Sequence, residues 1–157
     1  MINKVEKGLA MSSDSYSQII KTSAVPSVVI DRISQVSEWW GRNFEGEATE
    51  VGNEFTVRFQ NGDMYKIKVA EIVPNRKVVW NVITAHQTWV KDPAEWVGTK
   101  IIWEVKEVPG GTEVHFTHEG LVPQLECFDQ CAQGWAYLMN PSFMELLNTG
   151  KGRPQAA

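Results

Sequence analysis

Hydrophobic and polar positions alternate with a period of two through the middle of the chain and change to a helical period near its end. Phe55, Val57 and Phe59 alternate with Glu54, Thr56, Arg58 and Gln60, and Asn61-Gly62-Asp63 follows as a tight turn of the hairpin kind. Tyr65, Ile67 and Val69 alternate with Lys66 and Lys68 until Pro74-Asn75 breaks the run. Lys77 to Trp89 reads as the next strand, ended by Lys91-Asp92-Pro93. Ile101, Trp103 and Val105 then share one face, with Lys100, Glu104 and Lys106 on the other and Ile102 as the exception. Pro109-Gly110-Gly111 turns the chain, and Val114, Phe116 and His118 continue the apolar face. Links this short predict an antiparallel meander. With Tyr16 to Ala24 and Gly46 to Glu50 added, the strand count is six or seven.

Two regions have helical spacing. Pro26 is suited to open a helix, and Val29, Ile30, Ile33 and Val36 recur at helical intervals before Trp39-Trp40-Gly41. From about Leu125 to Thr149 the helical pattern runs unbroken, a rod of roughly 35 Å, long enough to lie across a sheet. At about 100° per residue, Phe128, Cys131, Ala132, Trp135, Leu138, Met139 and Leu146 form one stripe centred on Trp135, with Asp129, Gln130, Gln133 and Asn140 opposite. Gly150 stands where a left-handed cap is expected, with Lys151 just beyond. Gly134 and Pro141 break the helical rule, at costs of about 1 and 3 kcal/mol. Both are read as packing devices: Gly134 for close approach to the sheet, Pro141 for a bend.

Composition narrows the class. The 157 residues are 43% hydrophobic and 22% charged, enough for a core without disulfide or metal staples. A single domain over residues 15–157 and a flexible tail over residues 1–14 are expected. No apolar run reaches the length of a membrane span and the first residues lack a signal-peptide pattern, so a cytoplasmic location is expected. The net charge is −4 and the 15 Lys and Arg residues are dispersed, which excludes a nucleic-acid binder.

Candidate chemistry is sparse. His118 points to the helix side by strand parity, and His86 does so if Trp80 does, since both are even positions of one strand. Two imidazoles in an apolar cup could hold a polar head group or move protons, although buried histidines are more often simply hydrogen-bonded. Cys127 and Cys131 share one helix side, match no zinc spacing with His118, and read as buried structural thiols, so no metal is expected. The chain has no Gly-rich phosphate loop, Gly-x-Ser-x-Gly elbow or paired-carboxylate pattern, and no cofactor is expected. Trp89 and Trp96 flank Lys91-Asp92-Pro93-Ala94-Glu95 in a loop. They could cover a cavity mouth, lie between protomers or pack on the sheet edge; the last is preferred.

Several segments in order resemble one family. They are Trp39-Trp40, Val69-Ala70-Glu71-Ile72-Val73-Pro74, Val78-Val79-Trp80, Gly111 to Leu121, Gly134-Trp135 and Thr149-Gly150-Lys151-Gly152. Together they resemble the START-related (SRPBCC) superfamily, in the branch named for activators of the 90-kDa heat-shock protein ATPase, over about Tyr16 to Pro154. The resemblance implies an α+β helix-grip (START/Bet v-like) fold. In that fold a curved antiparallel sheet of six to seven strands wraps a long C-terminal helix, with two short helices after the first strand. The activators that name the branch have an additional N-terminal domain for which this chain has no room, so no chaperone partner is expected. A homodimer is left open.

Single-domain relatives are thought of as binders of small apolar molecules, and some superfamily members are cyclases or dehydratases acting on polyketides. The resemblance therefore implies a soluble protein that binds a hydrophobic or amphipathic, lipid-like or polyketide-like small molecule between sheet and helix. The inward set would be Trp40, Phe55, Val57, Phe59, Tyr65, Ile67, Trp80, Val82, His86, Trp103, Phe116 and His118, with Trp135, Met139 and Phe143 from the helix. Interiors are normally close-packed, so these side chains could equally fill the space. A cyclase or dehydratase using His118, with His86, as acid or base is one alternative reading; a stress-related protein-interaction domain is another. Binding is preferred to catalysis.

Overall fold

A computed structural model describes residues 14–155; all but the last residue of the expected tail lies outside the described residues. Seven strands form one sheet: β1 (Tyr16–Thr22), β2 (Asn43–Gly46), β3 (Glu54–Arg58), β4 (Met64–Val73), β5 (Lys77–His86), β6 (Lys100–Val108) and β7 (Gly111–Glu119). Their order is β1-β7-β6-β5-β4-β3-β2, and every pair is antiparallel. Two short helices, α1 (Pro26–Ile33) and α2 (Val36–Trp39), link β1 to β2. The C-terminal helical segment is α3 (Phe128–Tyr137), a wide turn over Leu138–Phe143, and α4 (Met144–Thr149).

The alternation predicted for the strands governs which side chains enter the core. Phe55 and Val57 of β3, Ile101, Trp103 and Val105 of β6, and Val114, Phe116 and His118 of β7 are all buried. The edges differ from expectation by a few residues. The second strand is Asn43–Gly46 rather than Gly46 to Glu50, and β5 stops at His86 rather than Trp89.

The expected parity of β5 is corrected near its end. Lys66 pairs with Thr84 but Ile67 pairs with Val82, so Ile83 is an extra residue on β5. A bulge of this kind shifts every later side chain to the other face. Val82 points inward, Ile83 and Thr84 are exposed, Ala85 is buried, and His86 is exposed instead of facing the helix. Gln87 takes the inward place.

The terminal helix is also corrected. It begins at Phe128 and breaks at Asn140, whose φ of −149° and ψ of 107° are extended. Pro141 supplies no N–H and disfavours helical geometry in the residue before it. The break keeps Leu138 and Met139 on one side, and Ser142 and Phe143 on the other, fully in the core. Pro141 thus has the packing role read from the sequence. Gly150 ends α4 at φ 83°, its N–H donating to the Leu146 carbonyl at 2.9 Å.

Candidate functional site

The hollow between sheet and helix is largely filled by rings. Trp80 meets Trp103 edge-on at 4.3 Å, Trp103 meets Phe116 at 5.3 Å, and Phe116 meets Trp135 at 4.7 Å between ring centres. Trp39 packs on Trp80, Trp103 and Phe143. Of the expected inward set, Phe55, Val57, Ile67, Trp80, Val82, Trp103, Phe116, Met139 and Phe143 are buried in this packed core. Trp40, Tyr65 and Trp135 are buried in the same core and, with the partly buried Phe59, also line a remaining cleft of about 350 Å³.

The cleft opens between α3, the β3–β4 turn and the long loop 87–99 that joins β5 to β6. Its walls are aromatic, with Trp89 and Trp96 from the loop added to the four rings above; α3 contributes Cys131 and Gly134, and the wide turn after it Leu138. Gln60, Asn61, Asp63, Gln130 and Gln155 form a polar rim. A Cβ added to Gly134 would meet no atom within 4 Å, so the close helix–sheet approach expected there is not what this glycine serves. It leaves the cleft wall open.

Loop 87–99 is held over this space at both ends. The Asp63 carboxylate accepts hydrogen bonds from the Thr88 N–H at 2.9 Å, the Thr88 hydroxyl at 3.0 Å and the Trp89 indole at 2.9 Å. The Glu95 carboxylate accepts from the backbone N–H groups of Glu126 at 2.9 Å and Cys127 at 3.3 Å, capping the start of α3 from another element. Just after the second tie, Trp96 stacks on Tyr65 at 4.3 Å and lies nearly parallel to Trp135 at 5.9 Å. The preferred expectation of packing on the sheet edge is therefore corrected: Trp96 is buried inside, and exposed Trp89 borders the cleft. Periodicity gave no handle on this, because a loop has no face to read.

His118 is completely buried. Thr99 Oγ1 gives its only proton to the Trp96 carbonyl at 2.6 Å, so it must accept from His118 Nε2–H at 2.8 Å. The Trp135 indole N–H donates to His118 Nδ1 at 3.0 Å. The ring is thereby fixed as the neutral Nε2–H tautomer, and burial holds its pKa down to about 3. No lone pair is left to take a proton from a substrate. Together with the outward turn of His86, this removes the geometry that an acid–base role would need.

A second polar group does face the cleft. Gln87 is fully buried, with Nε2 placed 2.9 Å from the Tyr65 hydroxyl and 3.4 Å from Cys131 Sγ, while its Oε1 has no partner. Burial keeps the Tyr65 phenol protonated well above its ordinary range. Sequence reasoning missed Gln87 because the bulge that turns it inward leaves no mark in the pattern. Among the described residues no three metal-ligating side chains converge, and none of the helices is long and apolar enough to cross a membrane. A larger depression of about 930 Å³, around Arg76, Glu104, Lys106 and His115, is charged and has no aromatic ring besides the imidazole.

The fold has counterparts elsewhere. Residues 32–148 match the family model described as activator of Hsp90 ATPase homolog 1-like protein. The solution structure of the Aha1 dimer from Colwellia psychrerythraea superposes with a TM-score of 0.69 at 23% identity, covering 88% of this chain and 98% of that one. A crystal structure of a Mesorhizobium loti protein gives 0.65 at 19% identity, covering 85% and 96%. DynU16, described as a putative protein in the dynemicin biosynthetic locus, gives 0.67 at 17% identity, covering 92% of this chain and 51% of its own. At such identities the likeness is one of fold. No curated protein matches the sequence.

Proposed function

Because the chain belongs to the family of activator of Hsp90 ATPase homolog 1-like proteins, whose helix-grip fold it has, we propose that it binds a small apolar or amphipathic molecule in the cleft beside α3. One observation carries the reading: about 350 Å³ stays open among aromatic walls at the one place where α3 has a glycine and needs none for packing. That volume lies at the lower end of the roughly 300–1,000 Å³ range of ligand pockets, which suits a compact ligand. Rings on several sides favour a flat or unsaturated body, since offset stacking and edge contacts add to burial. The unpartnered Gln87 amide oxygen suits one hydroxyl or N–H at the buried end of such a molecule. DynU16 has the same fold and is placed by its description in a biosynthetic locus, which lends a biosynthetic small molecule some support.

The enzymatic reading gains nothing from the geometry, since His118 has both ring nitrogens engaged. Tryptophan fluorescence tests the binding reading, because Trp40, Trp96 and Trp135 line the cleft. Titration with fatty acids, isoprenoids and planar phenolic aromatics should give saturable quenching or a spectral shift for at least one class. Silence across all three would overturn the proposal.

A further inference from the structure

The two cysteines form an unused reactive pair. Their sulfur atoms lie 2.7 Å apart, far inside ordinary van der Waals separation, and both thiols are free. The environments of the two differ. Cys131 lines the cleft and is reachable from it, whereas Cys127 is completely buried behind it at the start of α3. Gln87 Nε2 approaches Cys131 Sγ at 3.4 Å, and Cys131 sits in the first turn of α3, where the helix dipole favours an anion. Cys131 accordingly ionises more readily than an ordinary thiol, chiefly through its hydrogen bond with Cys127, and Cys127 retains its proton.

We propose that this pair is a hydroperoxide-reactive site, in which Cys131 is oxidised from the cleft and Cys127 resolves it to an intramolecular disulfide. The thiolate of Cys131 attacks the O–O bond of an organic hydroperoxide; an S–O bond forms, the O–O bond breaks, and the departing alkoxide takes up the thiol proton as an alcohol. The Cys127 sulfur then attacks the Cys131 sulfur. An S–S bond forms, the S–O bond breaks, and water leaves with the Cys127 proton. Two electrons pass from the sulfur pair to the peroxide. Residues four apart at a helix start have Cα atoms about 6 Å apart by helix geometry, inside the range a disulfide spans. The aromatic walls of the cleft select an organic peroxide over hydrogen peroxide, and the burial of the pair keeps bulkier thiols away from the intermediate.

Intact-mass measurement with thiol counting tests this on the reduced wild-type chain. One equivalent of cumene hydroperoxide should remove both free thiols and lower the mass by two hydrogens, and peptide mapping should find Cys127 joined to Cys131. The same dose of hydrogen peroxide should act at least tenfold more slowly. Cys127→Ser should stop at a Cys131 sulfenic acid, seen as one added oxygen and trapped by dimedone, while Cys131→Ser should do neither. Retention of both thiols, a disulfide only between chains, or equal rates with the two peroxides would overturn the proposal. The wild-type result stands whether or not a variant folds, and whether or not a ligand occupies the cleft.

Discussion

Gly134 offers a perturbation whose sign separates two explanations. It lies inside α3, and a methyl group on its Cα would meet nothing within 4 Å. Glycine in a helix interior costs about 1 kcal/mol relative to alanine, through backbone entropy lost on folding. With no clash to offset the gain, Gly134→Ala should stabilise the chain by up to about 1 kcal/mol, or about 2–4 °C in Tm for a domain of this size. Had the glycine been needed for contact with the sheet, overpacking would cost about 1–3 kcal/mol and the sign would reverse. Urea denaturation followed by far-UV circular dichroism, with a thermal melt beside it, reads the difference. Destabilisation of 1 kcal/mol or more would refute the reasoning. The same methyl projects into the cleft, so the more stable variant should bind less tightly. A residue that lowers stability and keeps a cavity open is what a binding site, rather than a core, retains.

Burial of neutral His118 makes stability depend on pH. Its folded pKa of about 3 lies below the unfolded value of 6.5, so the unfolded chain takes up the proton first and stability falls as pH drops below 6.5. The loss should reach about 2 kcal/mol by pH 5, measured as a falling urea midpoint, and should be absent from His118→Gln; equal wild-type stability at pH 7 and 5 would contradict this. Glu95→Ala removes the carboxylate that caps α3 and ties down loop 87–99, with an expected cost of about 1 kcal/mol. Hydrogen exchange should accelerate in residues 87–99 and at the start of α3, and unchanged protection would argue against the tie.

Much of the architecture was legible because one-faced strands carry their orientation in their alternation. Ile101, Trp103 and Val105, then Val114, Phe116 and His118, all point where their spacing says. The site was less legible, for three local reasons. Ile83 adds one residue to β5, so parity counted from Trp80 places His86 inside when Gln87 is there. Trp96 belongs to a loop, where no period says which way a side chain turns. Gly134 looks the same in a sequence whether its missing side chain makes room for another element or for a void. The rings of Trp80, Trp103 and Phe116 have the right orientation for a cavity and fill it instead, since direction does not determine how closely neighbours pack.

Native mass spectrometry of freshly purified protein, wild type beside Gly134→Leu, tests the central claim most directly. A leucine side chain at this position would reach into the open space from α3. The wild type should carry a non-covalent small molecule, or accept the best fluorescence ligand at one per chain, and the folded leucine variant should do neither. Equal occupancy in the two proteins would place any ligand elsewhere, and the cleft would lose its assigned role.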